Sequence, residues 1–109
     1  MKKYEVRSTT QANKHILDYA EYIQDELLNP EAARKFVNDI RTALKSLCEM
    51  PQRNPLTEEP WRSKGIHKMM VRGYIIYYWI EENAGVVYVI GIVYEKRNQI
   101  EQLAEMDLK

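Results

Sequence analysis

The feature that most limits what this chain can fold into is a change of apolar period at a cluster of prolines. Before Pro51 the apolar residues recur every three or four positions; after Pro60 they run in dense β-branched and aromatic stretches. Helices followed by strands, rather than alternation of the two, is the pattern of an α+β domain. With 109 residues there is room for one such domain, spanning 1–109, and not for two. A domain of that size buries about two-thirds of the surface its unfolded chain exposes, so it can build a core without covalent bridges.

The helical half reads in order. Tyr4-Glu5-Val6-Arg7 alternates apolar and polar and predicts a short strand. Ser8-Thr9-Thr10-Gln11 fits a capping box, with the hydroxyl of Ser8 at the cap and glutamine three residues on. Ala12, Ile16, Tyr19, Ala20, Ile23 and Leu27 then make one apolar stripe. Asn29-Pro30-Glu31 closes this helix and opens a second: asparagine suits the N-cap, proline the first helical position, and glutamate the positive end of the helix dipole. Ala33, Phe36, Val37, Ile40, Leu44 and Leu47 form the second stripe, which Met50-Pro51 ends. The short link predicts an antiparallel helical hairpin whose stripes need a surface to cover.

The second half supplies that surface. A loop over 52–60 leads to predicted strands at 66–71, 74–82 and 86–94. Arg72-Gly73 and Glu82-Asn83-Ala84-Gly85 link them, with Gly85 able to take positive φ. Residues 98–106 read as a short helix or tail carrying Ile100 and Leu103. The expected architecture is an N-terminal strand and a long helical hairpin packed on a twisted antiparallel sheet of three to four strands. Ile75, Tyr77 and Trp79 should share one sheet face, and Ile76, Tyr78 and Ile80 the other. A strand apolar on both sides implies a second face that is covered or used in binding.

Several function classes are poorly served by this sequence. No phosphate-binding loop, dinucleotide fingerprint or hydrolase serine motif occurs, and no His/Cys spacing suits a metal; no cofactor or metal is expected. Cys48 is the single cysteine, read as a buried core thiol. With no apolar leader and no apolar run longer than Tyr74 to Ile80, a cytoplasmic protein without membrane partners is expected. Lys plus Arg number 16 and Asp plus Glu 16, so no global field attracts polyanions. The distribution is uneven, however. Between Pro60 and Ile80 lie Arg62, Lys64, His67, Lys68 and Arg72 with no acid, and Lys96 and Arg97 follow the last strand. Tyr74, Tyr77, Tyr78, Tyr88 and Tyr94 interleave with them. Cations and stacking rings can hold RNA; the same residues also serve as sheet core and solubilising charge. His67, inside the basic segment, is a candidate for proton transfer or phosphate contact, and His15 reads as structural or solvated.

The order strand, helical hairpin, proline loop, three-stranded meander resembles the RelE/ParE family of bacterial toxins over nearly the whole chain. The run Lys68-Met69-Met70-Val71-Arg72-Gly73-Tyr74-Ile75-Ile76-Tyr77-Tyr78-Trp79-Ile80-Glu81-Glu82 is similar to the family's strand pair and acidic turn. Val86 to Tyr94 followed by Glu95-Lys96-Arg97-Asn98 resembles its last strand and basic tail, and Asn29-Pro30-Glu31-Ala32-Ala33 its helical link. The resemblance implies a cognate antitoxin and one of two activities. RelE-like members cut messenger RNA on the ribosome with basic residues and a tyrosine or histidine, without metal; ParE-like members poison DNA gyrase. Ile75 stands where the family carries an arginine, and no tyrosine or histidine follows Arg97. A guanidinium could stabilise charge on a scissile phosphate, and isoleucine cannot. The two long helices also sit better with ParE-like members, and the expectation is a type II toxin, ParE-like before RelE-like. The alternatives are a ribosome-dependent endoribonuclease binding RNA through Arg62, Lys64, His67, Lys68 and Arg72, and an interaction protein that has lost toxicity.

Overall fold

A computed structural model describes residues 2–96 and Met106. Among the described residues, four strands and two α-helices succeed one another in the order β1 (Glu5–Ser8), α1 (Thr10–Glu21), α2 (Pro30–Ser46), β2 (His67–Val71), β3 (Tyr74–Glu81) and β4 (Val86–Tyr94). The sheet order is β1-β4-β3-β2. Both hairpins of the meander are antiparallel, but β1 joins β4 in parallel, so the sheet is mixed rather than wholly antiparallel. The physical reason is the path of the chain beyond β1. It runs straight on into α1, whose first residues stay beside β4: the Thr9 amide donates to the Val89 carbonyl (3.0 Å) and the Thr9 hydroxyl to that of Ile90 (3.4 Å). β1 and α1 thus form one line along β4, first as a strand and then as a helix.

This continuity also moves the helix cap. Ser8 belongs to β1, paired with Val89, so Thr9 and not Ser8 is the N-cap, accepting from the Ala12 amide at 3.2 Å. At the other end α1 stops at Glu21 and passes into a π-helical turn, Tyr22–Glu26, in place of the single helix expected to Leu27. Leu27 is accordingly exposed, no longer on the inward stripe. Asn29 caps α2 as expected, accepting from Ala32 at 3.1 Å, with Pro30 in the first turn. Three backbone carbonyls at the C-terminal end of α2 (Ser46, Glu49, Met50) accept from the Arg53 guanidinium at 3.3, 2.7 and 3.2 Å, satisfying groups a helix end leaves orphaned. Cys48 lies beyond the last helical residue and is half-buried, so it is not the core thiol that a continued helix would make it.

The strand alternation separates two cores. Ile76 and Tyr78 pack with Phe36, Ile40, Leu44, Leu47, Val87 and Val89 under the hairpin. Ile75 and Tyr77 pack on the opposite face with Ile66, Ile90 and Val93, against which Trp61, Trp79 and Met106 also rest. The second face is thus covered from within the chain. A bulge marks its centre: Tyr77 pairs with Gly91 but Tyr78 with Val89, leaving Ile90 as the extra residue. A Cβ at Gly91 would lie 2.5 Å from the Met106 sulfur and 3.0 Å from the His15 ring, so a larger residue there would need those side chains to shift. Apart from Met106, the tail expected over 98–106 lies outside the described residues.

Phe36 anchors the hairpin to the sheet. Its ring lies 4.7 Å from that of Tyr74 and 6.2 Å from that of Tyr19, and it is 8% exposed. Phe36→Ala should therefore cost about 3–5 kcal/mol by denaturant unfolding, and Leu17→Ala, on the exposed flank of α1, less than about 0.5 kcal/mol.

Candidate functional site

The basic residues of 62–72 do not form one patch, because strand alternation and a turn divide them. Arg62 and Lys64 sit exposed on a 3-10 turn beside Trp61. Lys68 pairs in register with Tyr77 and so belongs to the second sheet face. His67 faces the hairpin side instead. It stacks on Tyr78 (5.2 Å between rings, 10° apart), and its Nδ1–H donates to the Asn54 carbonyl at 2.8 Å. The Tyr78 hydroxyl in turn donates to the Pro51 carbonyl (2.6 Å) and accepts from the Asn54 amide (3.0 Å). His67 thus stitches the proline loop to the core. Arg72 stands in the β2–β3 turn at φ +50°, next to Gly73 at +85°, with its Nε 3.4 Å from the Asp39 carboxylate of α2. Lys96 is exposed at the same end of the sheet, where the Glu95 amide donates to the Gly73 carbonyl at 2.9 Å. Arg97 lies outside the described residues.

The interleaved tyrosines divide likewise. Tyr77 and Tyr78 are 2% and 0% exposed, so neither can stack on a base. Burial pushes both phenols above their ordinary value; at Tyr78 the Asn54 hydrogen bond and the nearby Arg53 oppose the shift. Tyr88 stacks on Trp79 at 4.8 Å. Ile75, at the position of interest, is 2% exposed within the second core, paired with Met70 and Val93. Arg72 leans toward α2 on the hairpin side and cannot stand in for a guanidinium on Ile75's face.

Sequence reading missed the groove that is there. A cavity of about 700 Å³ opens between α1, the π-helical turn and the far ends of β3 and β4. Its floor is aromatic: Tyr74 contacts Tyr19 at 5.1 Å and Tyr94 at 5.4 Å, edge-on or tilted. Burial, then the neighbouring Tyr19 and Tyr94, raise the Tyr74 phenol above its ordinary value. Beside it a smaller hollow carries Lys35, Asp39 and Arg72. Tyr19 and the C-terminal strand tyrosines are far apart in the chain, and no local pattern announces their meeting.

The groove wall solves a backbone problem. β1 covers only the first half of β4's outer edge, leaving the second half with unpaired amides. The Ile92 amide donates to His15 Nδ1 (3.1 Å) and the Tyr94 amide to the Tyr19 hydroxyl (3.0 Å). A spacing of four on a helix and two on a strand both advance about 6 Å, so the side chains match the amides in turn. His15 must be neutral at Nδ1 to accept this bond. Burial chiefly, with Lys14 adding and Asp18 opposing, holds its imidazole below the ordinary value of 6.5. A depressed folded pKa contributes stability that is full above about pH 6.5 and is lost as pH falls below it toward the folded value. Between pH 7 and 5 the unfolding free energy should fall. His15→Gln, whose oxygen can accept the same bond without titrating, should flatten that slope in pH-resolved urea denaturation.

Among the described residues no cluster of histidine, cysteine or carboxylate side chains could hold a metal, and no helix is long and apolar enough to cross a membrane. Comparison with known proteins bears on the same elements. Residues 6–99 match the model of a family described as the ParE toxin of the type II toxin–antitoxin system parDE. No curated protein matches the sequence. Among solved structures, a chain of the chromosomal ParDE toxin–antitoxin system of P. aeruginosa superposes with a TM-score of 0.71 at 16% identity, covering 86% of this chain and 98% of that one. The RelBE2 toxin–antitoxin complex of Mycobacterium tuberculosis gives 0.62 at 19% identity (84% and 98% covered). The isolated E. coli RelE toxin gives 0.56 at 20% identity (93% and 94% covered).

Proposed function

The chain belongs to the ParE toxin family of type II toxin–antitoxin systems, and from that premise we propose that it is a ParE-like toxin that inhibits DNA gyrase and is neutralised by a cognate antitoxin. The observation that carries this reading is the match of residues 6–99 to the ParE toxin family; Ile75, buried at 2% among apolar neighbours where the family carries an arginine, also leaves phosphate chemistry without a cation. Charge developing on a scissile phosphate has no guanidinium there to meet it, and Arg72 is held toward Asp39. The division of the basic residues between faces and the burial of Tyr77 and Tyr78 also disfavour an RNA track. The proposed action is interference with the enzyme that handles DNA, through protein contacts rather than hydrolysis, in the cytoplasm. The antitoxin would lie across the sheet and the hairpin groove, burying Tyr74 and Tyr94.

Two assays on the induced protein separate this from RelE-like cleavage. Purified toxin should inhibit gyrase supercoiling, and primer extension on total messenger RNA should show no new 5′ ends. Ribosome-dependent cleavage with intact supercoiling would replace this reading with the endoribonuclease; neither effect would leave an interaction protein that has lost toxicity. The cations Lys68, half-buried, and Arg72, exposed, can be tested against a cognate antitoxin. Removing a charge-assisted contact costs about 1.5–3 kcal/mol, so Lys68→Ala with Arg72→Ala should weaken binding roughly tenfold or more and reduce its salt dependence. The melting temperature should barely move, since exposed pairs contribute about 0–1 kcal/mol.

A further inference from the structure

We infer that the outer flank of the helical hairpin is a docking surface for the phosphate backbone of a DNA duplex. Four residues of α2, Arg34, Asn38, Arg41 and Lys45, recur at steps of four, three and four and so lie in one line down the helix. All four are exposed. The line borders a shallow groove of about 290 Å³, where Ala20 of α1 and Gln24 of the π-helical turn stand across from Arg34, Asn38 and Arg41. No residue of the sheet lines it, so it is separate from the aromatic groove over Tyr74 and Tyr94. Among the described residues, no ion pair engages Arg34, Arg41 or Lys45. The helix itself does not account for them. Arg41 has Lys45 one turn on and no acid one turn away in either direction, and like charges at that spacing weaken a helix. Lys45 is favoured by the negative end of the helix dipole; Arg41, further inside, is not. Lys35, on the other flank, has Asp39 at i+4 and pairs with it at 3.5 Å. One flank of α2 is thus neutralised within the chain and the other is not.

The lining selects the occupant. It holds two guanidinium groups and two carboxamides; among the described residues that line the groove none is acidic and none aromatic, and Glu21 and Glu31, near it in sequence, lie outside it. Arginine, asparagine and glutamine are donors to phosphate oxygens. The apolar part of the lining is Ala20, Ala33 and Val37. These are too small to anchor a protein segment, because protein interfaces concentrate their energy in large side chains buried in pockets. Without a ring to stack on unpaired bases, a single strand has no advantage here over a duplex. Arg34 and Arg41 are seven residues apart, about 10 Å along the helix axis, so they reach more than one phosphate of a strand. Beyond Gln24 the acids Asp25 and Glu26 repel phosphate and confine the track to the stretch from Arg34 to Lys45. The choice of DNA over RNA rests on the function proposed above, in which the target enzyme handles DNA.

The test uses the full chain and a fluorescein-labelled DNA duplex of arbitrary sequence, without gyrase or antitoxin, followed by fluorescence anisotropy over a salt series. The wild type should bind, with log K falling against log salt by about 0.9 for each phosphate neutralised. Arg34→Gln with Arg41→Gln should weaken binding at least about tenfold and reduce that slope by about two. Its melting temperature should stay level or rise, because the like charge beside Lys45 is gone. Arg62→Gln with Lys64→Gln removes the same charge from the 3-10 turn beside Trp61 and should leave affinity within about twofold, since distant exposed charges are screened. Absence of binding at low salt would overturn the proposal, as would equal losses in the two double variants, which would make net charge and not the groove responsible. Tighter binding of a single strand or of an RNA duplex of the same sequence would also overturn it. So would displacement of the DNA by a glutamate-rich peptide at equal charge concentration, since the occupant would then be an acidic protein. Gyrase inhibition is read separately. DNA binding without it would sink the function proposed above and leave this surface standing; inhibition by a chain that does not bind DNA would sink this surface alone.

Discussion

The structure depends on how the two edges of β4 are closed. One edge pairs along its whole length with β3; the other is covered by β1 for four residues and then by side chains of α1. A buried strand cannot leave amides unpaired, because each would forfeit its hydrogen bond to water without replacement. The supply of His15 and Tyr19 to Ile92 and Tyr94 therefore fixes where α1 runs, and the turn at Leu28 then fixes where α2 lies. The parallel sense of β1, the position of the Thr9 cap and the orientation of the hairpin all stem from this one requirement.

The same arrangement accounts for the groove. A helix that caps a strand edge cannot also lie flat on the sheet along its whole length. As α1 gives way to the π-helical turn it departs from the sheet, and a wedge opens over Tyr74 and Tyr94. Phe36 from α2 and Tyr19 from α1 close the inner end of the wedge through ring contacts, leaving the outer end open. The groove is thus a by-product of satisfying backbone amides, with the exposed apolar residues Tyr22 and Leu27 at its rim.

The hairpin tip is acidic, while the β2–β3 turn end carries Arg72 and Lys96 together with Asp39 and Glu95. The Arg72–Asp39 contact joins the two regions at the side of the groove, and with both groups partly exposed it adds little to stability.

Much of this was legible in the residues themselves. The helical period before Pro51, the strand alternation after Pro60, the Asn29-Pro30 start of α2 and the Gly85 turn are local properties, and each appears where its residues place it. The two-sided burial of β3 was also readable, because Ile75, Tyr77, Ile76 and Tyr78 are apolar on both alternating sets. What the chain pattern did not contain were choices made between distant residues. Thr9 rather than Ser8 caps α1 because β1 needs Ser8 to pair with Val89. The basic residues read as one cluster in sequence, yet His67 and Lys68, being adjacent on a strand, point to opposite faces, and Arg72 is drawn to Asp39 from another element. The groove needs Tyr19, Tyr74 and Tyr94 to meet across most of the chain, and the strained Leu28 is visible only once φ is known. Local periodicity decides which elements form; the pairing of backbone groups across the fold decides which side chains share a surface.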